Sequence, residues 1–177
     1  MKKTFFTTVY VAIAIFGNTV LAQSNLIASN PVTSPVGESE YISNEVKTNK
    51  LNAEAISSKV MRSFVKAFDK TENVNWYDDK GFYLASFQSD DRRALAWFNK
   101  KGYMSNSIFY GTEKHLPAAE KQQVQSAYED YDIIATQEVM SRNTTAWIVV
   151  VQNEKKLIRL RLMGGEIEQL EKIQRTK

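Results

Sequence analysis

The residues that could do chemistry in this 177-residue chain are one histidine, several adjacent carboxylates and no cysteine. His115 stands by itself in EKHLPAAE, so there is no second imidazole for a zinc site. Without cysteine there is neither a thiolate nucleophile nor a Cys/His metal cluster. His115 therefore reads as a solvent-facing linker residue rather than a base. The carboxylates come as Asp78-Asp79, Asp90-Asp91 and Glu129-Asp130-Asp132. Neighbours on a strand point to opposite faces and seldom converge on one substrate atom, so these runs fit turn geometry and solubility. Two carboxylates brought together from separate loops would be the one hydrolytic route open to this chain. No 12-residue calcium-ligand pattern occurs, and the GTE, DKG and MGG segments lack the glycine spacing of phosphate loops. The reading is a chain with no catalytic centre, no metal and no cofactor.

What the sequence does offer is binding chemistry. Tyr83, Phe87, Trp97 and Trp147, with Arg159 and Arg161, are residue types that dominate protein interfaces. Whether they share a surface depends on the elements that carry them.

The chain opens with MKKTFFTTVYVAIAIFG, two lysines ahead of an apolar run too short for a comfortable span, and then VLA, where small residues suit a peptidase. Residues 1–22 read as a signal peptide, with cleavage after Ala22, no lipoprotein cysteine and no membrane span after removal. Lys2 and Lys3 fall within it, leaving 21 basic against 20 acidic side chains. A chain that near to neutral lacks the sustained positive field that nucleic acid needs. Residues 23–52, rich in Ser, Asn, Thr and Pro, read as a flexible linker.

Periodicity begins after Leu51. In residues 53–70, Ile56, Val60, Phe64 and Phe68 recur every four positions, the pattern of an amphipathic helix. NVNWYDD, GFYLASFQ, RRALAWFN and YMSNSIFY follow as strands between turn signals. The order then recurs: LPAAEKQQVQSAYEDY as a helix, then DIIATQEVM, TAWIVVVQ, KKLIRLRL and EIEQLEKI as strands. FYLASFQ lies against AWIVVVQ, and ALAWF against IRLRL, at one shared offset of 64 positions. Two tandem α-β-β-β-β units, 53–112 and 113–173, predict an α+β domain with an antiparallel sheet and both helices on one face.

In residues 156–162, Ile158, Leu160 and Leu162 alternate with Leu157, Arg159 and Arg161, which places the first set under the helices. The same parity carried through the chain puts Phe82, Leu84, Ala94, Ala96, Phe98, Ile148 and Val150 in the core. It leaves Tyr83, Phe87, Leu95, Trp97, Trp147, Val149 and Val151, with Arg159 and Arg161, on a helix-free face that is aromatic where polar residues are usual. Such a face is either a binding surface or is covered by the linker, a curled sheet edge or the partner unit.

The residues resemble a family of β-lactamase-inhibitor-like, PepSY-like proteins exported by Bacteroidetes. The resemblance rests on Asn73-Val74-Asn75-Trp76, on Gly81-Phe82-Tyr83-Leu84-Ala85-Ser86-Phe87, on Phe98-Asn99-Lys100-Lys101-Gly102, on Leu116-Pro117-Ala118-Ala119 and on Tyr131-Asp132-Ile133. It spans roughly residues 55–172 and departs from the pattern at Met163-Gly164-Gly165, Arg159 and Arg161. It implies a BLIP-like fold and no particular target. The expected function is a periplasmic or secreted non-enzymatic binding module that engages a protein of the envelope or secreted fraction through the aromatic face, with inhibition of a secreted or envelope enzyme as one form of that binding. A carrier or sensor of a small hydrophobic ligand is the alternative, and a hydrolase using the acidic turns a third.

Overall fold

Two-residue turns organise the sheet. Lys80-Gly81 and Gly164-Gly165 take positive φ at both positions (52° and 86°, 62° and 82°), as a type I′ hairpin requires. Asp90-Asp91 and Arg142-Asn143 open on a φ of 53° and also join strands through two residues. In this computed structural model, which describes residues 49–175, nine strands make one antiparallel sheet in chain order. They are β1 (Asn49–Leu51), β2 (Glu72–Asp79), β3 (Phe82–Ser89), β4 (Arg92–Phe98), β5 (Met104–Gly111), β6 (Asp132–Ser141), β7 (Thr144–Gln152), β8 (Lys156–Met163) and β9 (Glu166–Gln174). Helix α1 (Ser58–Ala67) follows a 3-10 turn at Ala53–Ala55, and α2 (Ala118–Ala127) follows another at Glu113–His115. The α+β class and the antiparallel sheet are as expected. The signal peptide and most of the linker lie outside the described residues, and the last residues assigned to the linker, Asn49–Leu51, form β1 on the edge of β2.

α1 is fixed by its sequence. Ser57 caps it, its Oγ accepting from the Val60 amide at 3.3 Å. Its stripe of Ile56, Val60, Phe64 and Phe68 is buried against Trp76, Ala85, Phe87, Ala94, Ala96, Phe98 and Phe109. α2 is held differently. Pro117 stands at its cap with no side-chain hydrogen bond, and Val124 is the one buried residue within the helix. Leu116 and Tyr128 flank it over a floor of Trp147, Val149, Val151, Ile158, Leu160 and Leu162.

These two clusters lie on the same side of the sheet, because Phe109 faces Glu138 and Glu138 faces Trp147 across the ladder. That register corrects part of the expected core. Ala94, Ala96, Phe98, Ile158, Leu160 and Leu162 do lie under the helices, but on β3 the helix-side residues are Tyr83, Ala85 and Phe87, and on β7 they are Trp147, Val149 and Val151. Phe82, Leu84, Ile148 and Val150 point the other way. The cause is loop length. A hairpin whose loop has an even number of residues pairs odd with even positions, as in Phe87↔Ala94 and Val151↔Ile158, so same-face residues change numerical parity at each such turn.

Candidate binding face

The face without helices collects Tyr77 on β2, Leu84 and Ser86 on β3, and Arg93, Leu95 and Trp97 on β4. Ile108 and Tyr110 continue it on β5, Val139 on β6, Ile148 and Val150 on β7, and Arg159 and Arg161 on β8. Trp97, Tyr77, Ile108, Tyr110 and Val139 are half-buried, whereas Leu84 and Leu95 are each only 2% exposed. Trp97 is oriented by its indole, which donates to Asp79 Oδ2 at 2.7 Å. The Arg93 guanidinium lies 4.2 Å above the Tyr110 ring centre, a cation–π contact.

Of the six residues expected to bind a partner, three are brought to this face: Trp97, Arg159 and Arg161. The arginines face acids on the edge strand, Arg159 paired with Glu171 at 3.4 Å and Arg161 with Glu168. The other three are on the opposite side. Phe87 is 1% and Trp147 7% exposed in the helix-side core, and Tyr83 packs half-buried against the α1 cluster. Tyr77, Ile108, Tyr110 and Val139 take their places. Tyr77 follows from Trp97 through the two-residue turns at 80–81 and 90–91, whereas Ile108 and Tyr110 reach this face through the longer, bulged connection of residues 99–103 and Val139 through its pairing with Ile108.

The acidic turns are occupied with structure. Asp78 Oδ1 accepts the Gly81 amide at 3.1 Å, and Asp79 holds Trp97. Glu138 pairs with Arg92 at 2.7 Å, joining β6 to β4. No group of three or more His, Cys, Asp or Glu converges among the described residues. His115 corrects the expectation of a solvent-facing residue, since its side chain is 15% exposed. Its Nδ1 accepts the Thr112 amide at 3.0 Å, so Nε2 carries the proton and donates to Asp91 Oδ1 at 2.9 Å. Lys114 also donates to Asp91, so the β3–β4 turn is fastened to the segment leading into α2.

Hydrogen bonds from Lys114 and then His115 hold the Asp91 carboxyl well below the usual carboxylate range. A depressed folded-state pKa gives stability that is complete above the unfolded value of about 4 and is lost as pH falls below it. Asp91→Asn should therefore lower the urea midpoint modestly at pH 7, given the exposure of the pair. Titration of both proteins should show the gap closing below about pH 4. A gap that stays constant with pH would exclude Asp91 as its source.

The chain matches no protein-family model and no curated protein. Among solved structures it is similar to a BLIP-like protein from Bacteroides fragilis, at 19% identity and a TM-score of 0.54 over 68% of this chain and 87% of that one. The fold is BLIP-like. A DUF2874 family protein from Bacteroides ovatus shares the BLIP-like fold at 19% identity and a TM-score of 0.53, over 66% of this chain and 86% of its own. A Bacteroides eggerthii protein, assigned provisionally to the periplasm by its name, does so at 16% identity and a TM-score of 0.53, over 67% and 88%. Such identities carry the BLIP-like fold and leave the function to the site. No described helix is long and apolar enough to cross a membrane.

Proposed function

We propose that this is an exported, non-enzymatic binding module that engages a protein of the envelope or secreted fraction through the helix-free face of its sheet. One observation carries the reading: a face that is normally polar on an antiparallel sheet bears Tyr77, Trp97, Ile108, Tyr110 and Val139. Aromatic side chains with an arginine rim are the composition from which interface hot spots are made. The N-terminal signal pattern and the provisional periplasmic assignment of one structural neighbour support export. The likeness to a BLIP-like protein supports protein binding.

Trp97 is the anchor in this reading, with Arg159 and Arg161 at the rim, where they pair with Glu171 and Glu168 opposite them on β9. Trp97→Ala should cost more than about 1 kcal/mol of partner binding. The measurement is affinity capture from envelope and secreted fractions with protein from Gln23 onward, followed by titration of the captured partner against wild type and variant. Undiminished binding by a folded Trp97→Ala protein would remove this face from the proposal.

The carrier reading needs an apolar cavity, and ligand pockets usually measure about 300–1,000 Å³. The clefts beside Trp147 and beside Phe82 measure about 190 and 180 Å³. Both are smaller than that range.

A further inference from the structure

α1 and α2 are each ten residues long and stand at the same place in the order of elements, yet their first turns meet the sheet differently. The third residue of α1, Val60, is fully buried, and the turn after β4 closes onto that end of the helix. Gly102, with φ of 89°, lies so near that a Cβ there would sit 3.0 Å from the Lys59 carbonyl oxygen. The third residue of α2 is Glu120, and the turn after β8 meets the helix through the Gln123 side chain and leaves open space beside its glycines. A Cβ at Gly164 or Gly165 would meet nothing within 4 Å. The space left open is a cleft of about 190 Å³ between α2 and the sheet, with Trp147 and Leu162 as its floor.

The groups around this cleft are mostly acceptors. Glu120 makes no ion pair with any described residue. Gln123 donates its amide to the Gly165 carbonyl at 2.6 Å, which braces the turn and leaves its own Oε1 as an acceptor. The Thr145 hydroxyl stands at the same rim. Below them lies an aromatic side chain, and an indole attracts a cation placed over its ring. A cavity of about 150 Å³ is enough for a benzene ring, so this one has room for an alkyl stem with a charged head.

We propose that this cleft is a second binding site, distinct from the helix-free sheet face, and that it takes a primary alkylammonium group of the kind a lysine side chain presents. The stem lies along Trp147 and Leu162, and the ammonium, a donor of three hydrogen bonds, reaches Glu120 and Gln123 Oε1. The opening exists because a carboxylate and a Gly-Gly turn stand where the first half has a buried valine and a closed turn.

The test is titration of the full protein with n-butylammonium, followed through the indole N–H resonances in nitrogen-proton correlation spectra, with Trp147→Phe identifying the Trp147 signal. A saturable shift of that signal is expected with n-butylammonium and not with butyrate. Replacing the ionised acceptor by a neutral one in Glu120→Gln should weaken binding by about tenfold. An otherwise unchanged spectrum would show that this variant is folded. Absence of a saturable shift, an equal response to butyrate, or an unweakened response in a folded Glu120→Gln protein would each overturn the site. None of these outcomes bears on the Trp97 face, which is tested by partner capture.

Discussion

Phe64→Ala is expected to lower the unfolding free energy by about 3–5 kcal/mol. Phe64 is 3% exposed and sits where α1 meets the sheet. Its ring centre lies 5.2 Å from that of Trp76, 5.1 Å from Phe87 and 6.2 Å from Phe98, all edge-on, and 5.4 Å from Phe68. Edge-to-face packing is what the aromatic quadrupole favours, and each pair adds to the free energy of burial. Removing the ring takes away apolar area and leaves a hole walled by other aromatics. Those walls stand on three different strands and on the helix, so they cannot close without moving the backbone. Urea unfolding at a constant slope should show a shifted midpoint. A loss below about 1 kcal/mol would mean that α1 repacks, and that the cluster is not the rigid anchor its geometry indicates.

Trp147→Ala is expected to cost about 3–5 kcal/mol as well, and it separates the two faces of the sheet. Trp147 is 7% exposed and packs under α2 with Leu116, Val124 and Leu162. The first turn of α2 buries no side chain of its own, since Glu120 stands where α1 has Val60. Without the indole, the helix should lose much of its floor. Trp97, half-buried on the opposite face, should by contrast lose mainly binding when truncated, because its ring does not pack under either helix. Thermal unfolding of the two variants side by side makes the comparison. Equal and small losses would return Trp147 to the surface, as its strand parity alone had suggested.

Much of the fold was legible because it is local. The four-residue stripe from Ile56 to Phe68 dictates a helix with one buried face, although the helix begins at Ser58 behind the Ser57 cap, not at residue 53 where the periodic segment begins. Lys80-Gly81, Asp90-Asp91, Arg142-Asn143 and Gly164-Gly165 dictate where strands reverse, because short turns need residues that tolerate positive φ. The eight long strands accordingly fall within a residue or two of where alternation put them, and an antiparallel sheet backed by two helices follows from their order.

What the chain determined by itself was thus the identity and order of its two helices and eight long strands, and the absence of cysteine chemistry, whereas β1 exists only through its pairing with β2. The tertiary structure decided which face each side chain joined. Facing depends on cross-strand register, and a loop of even length reverses the numerical parity of the next strand, which moved Phe87 and Trp147 inward and left Trp97 outside. It also decided the partners of charged groups. His115 meets Asp91 across 24 positions and Arg92 meets Glu138 across 46, and no periodicity reports contacts that only the folded sheet brings together. The cleft beside Trp147 has the same origin, since it is the space between a helix and a turn that neither sequence segment defines without the other.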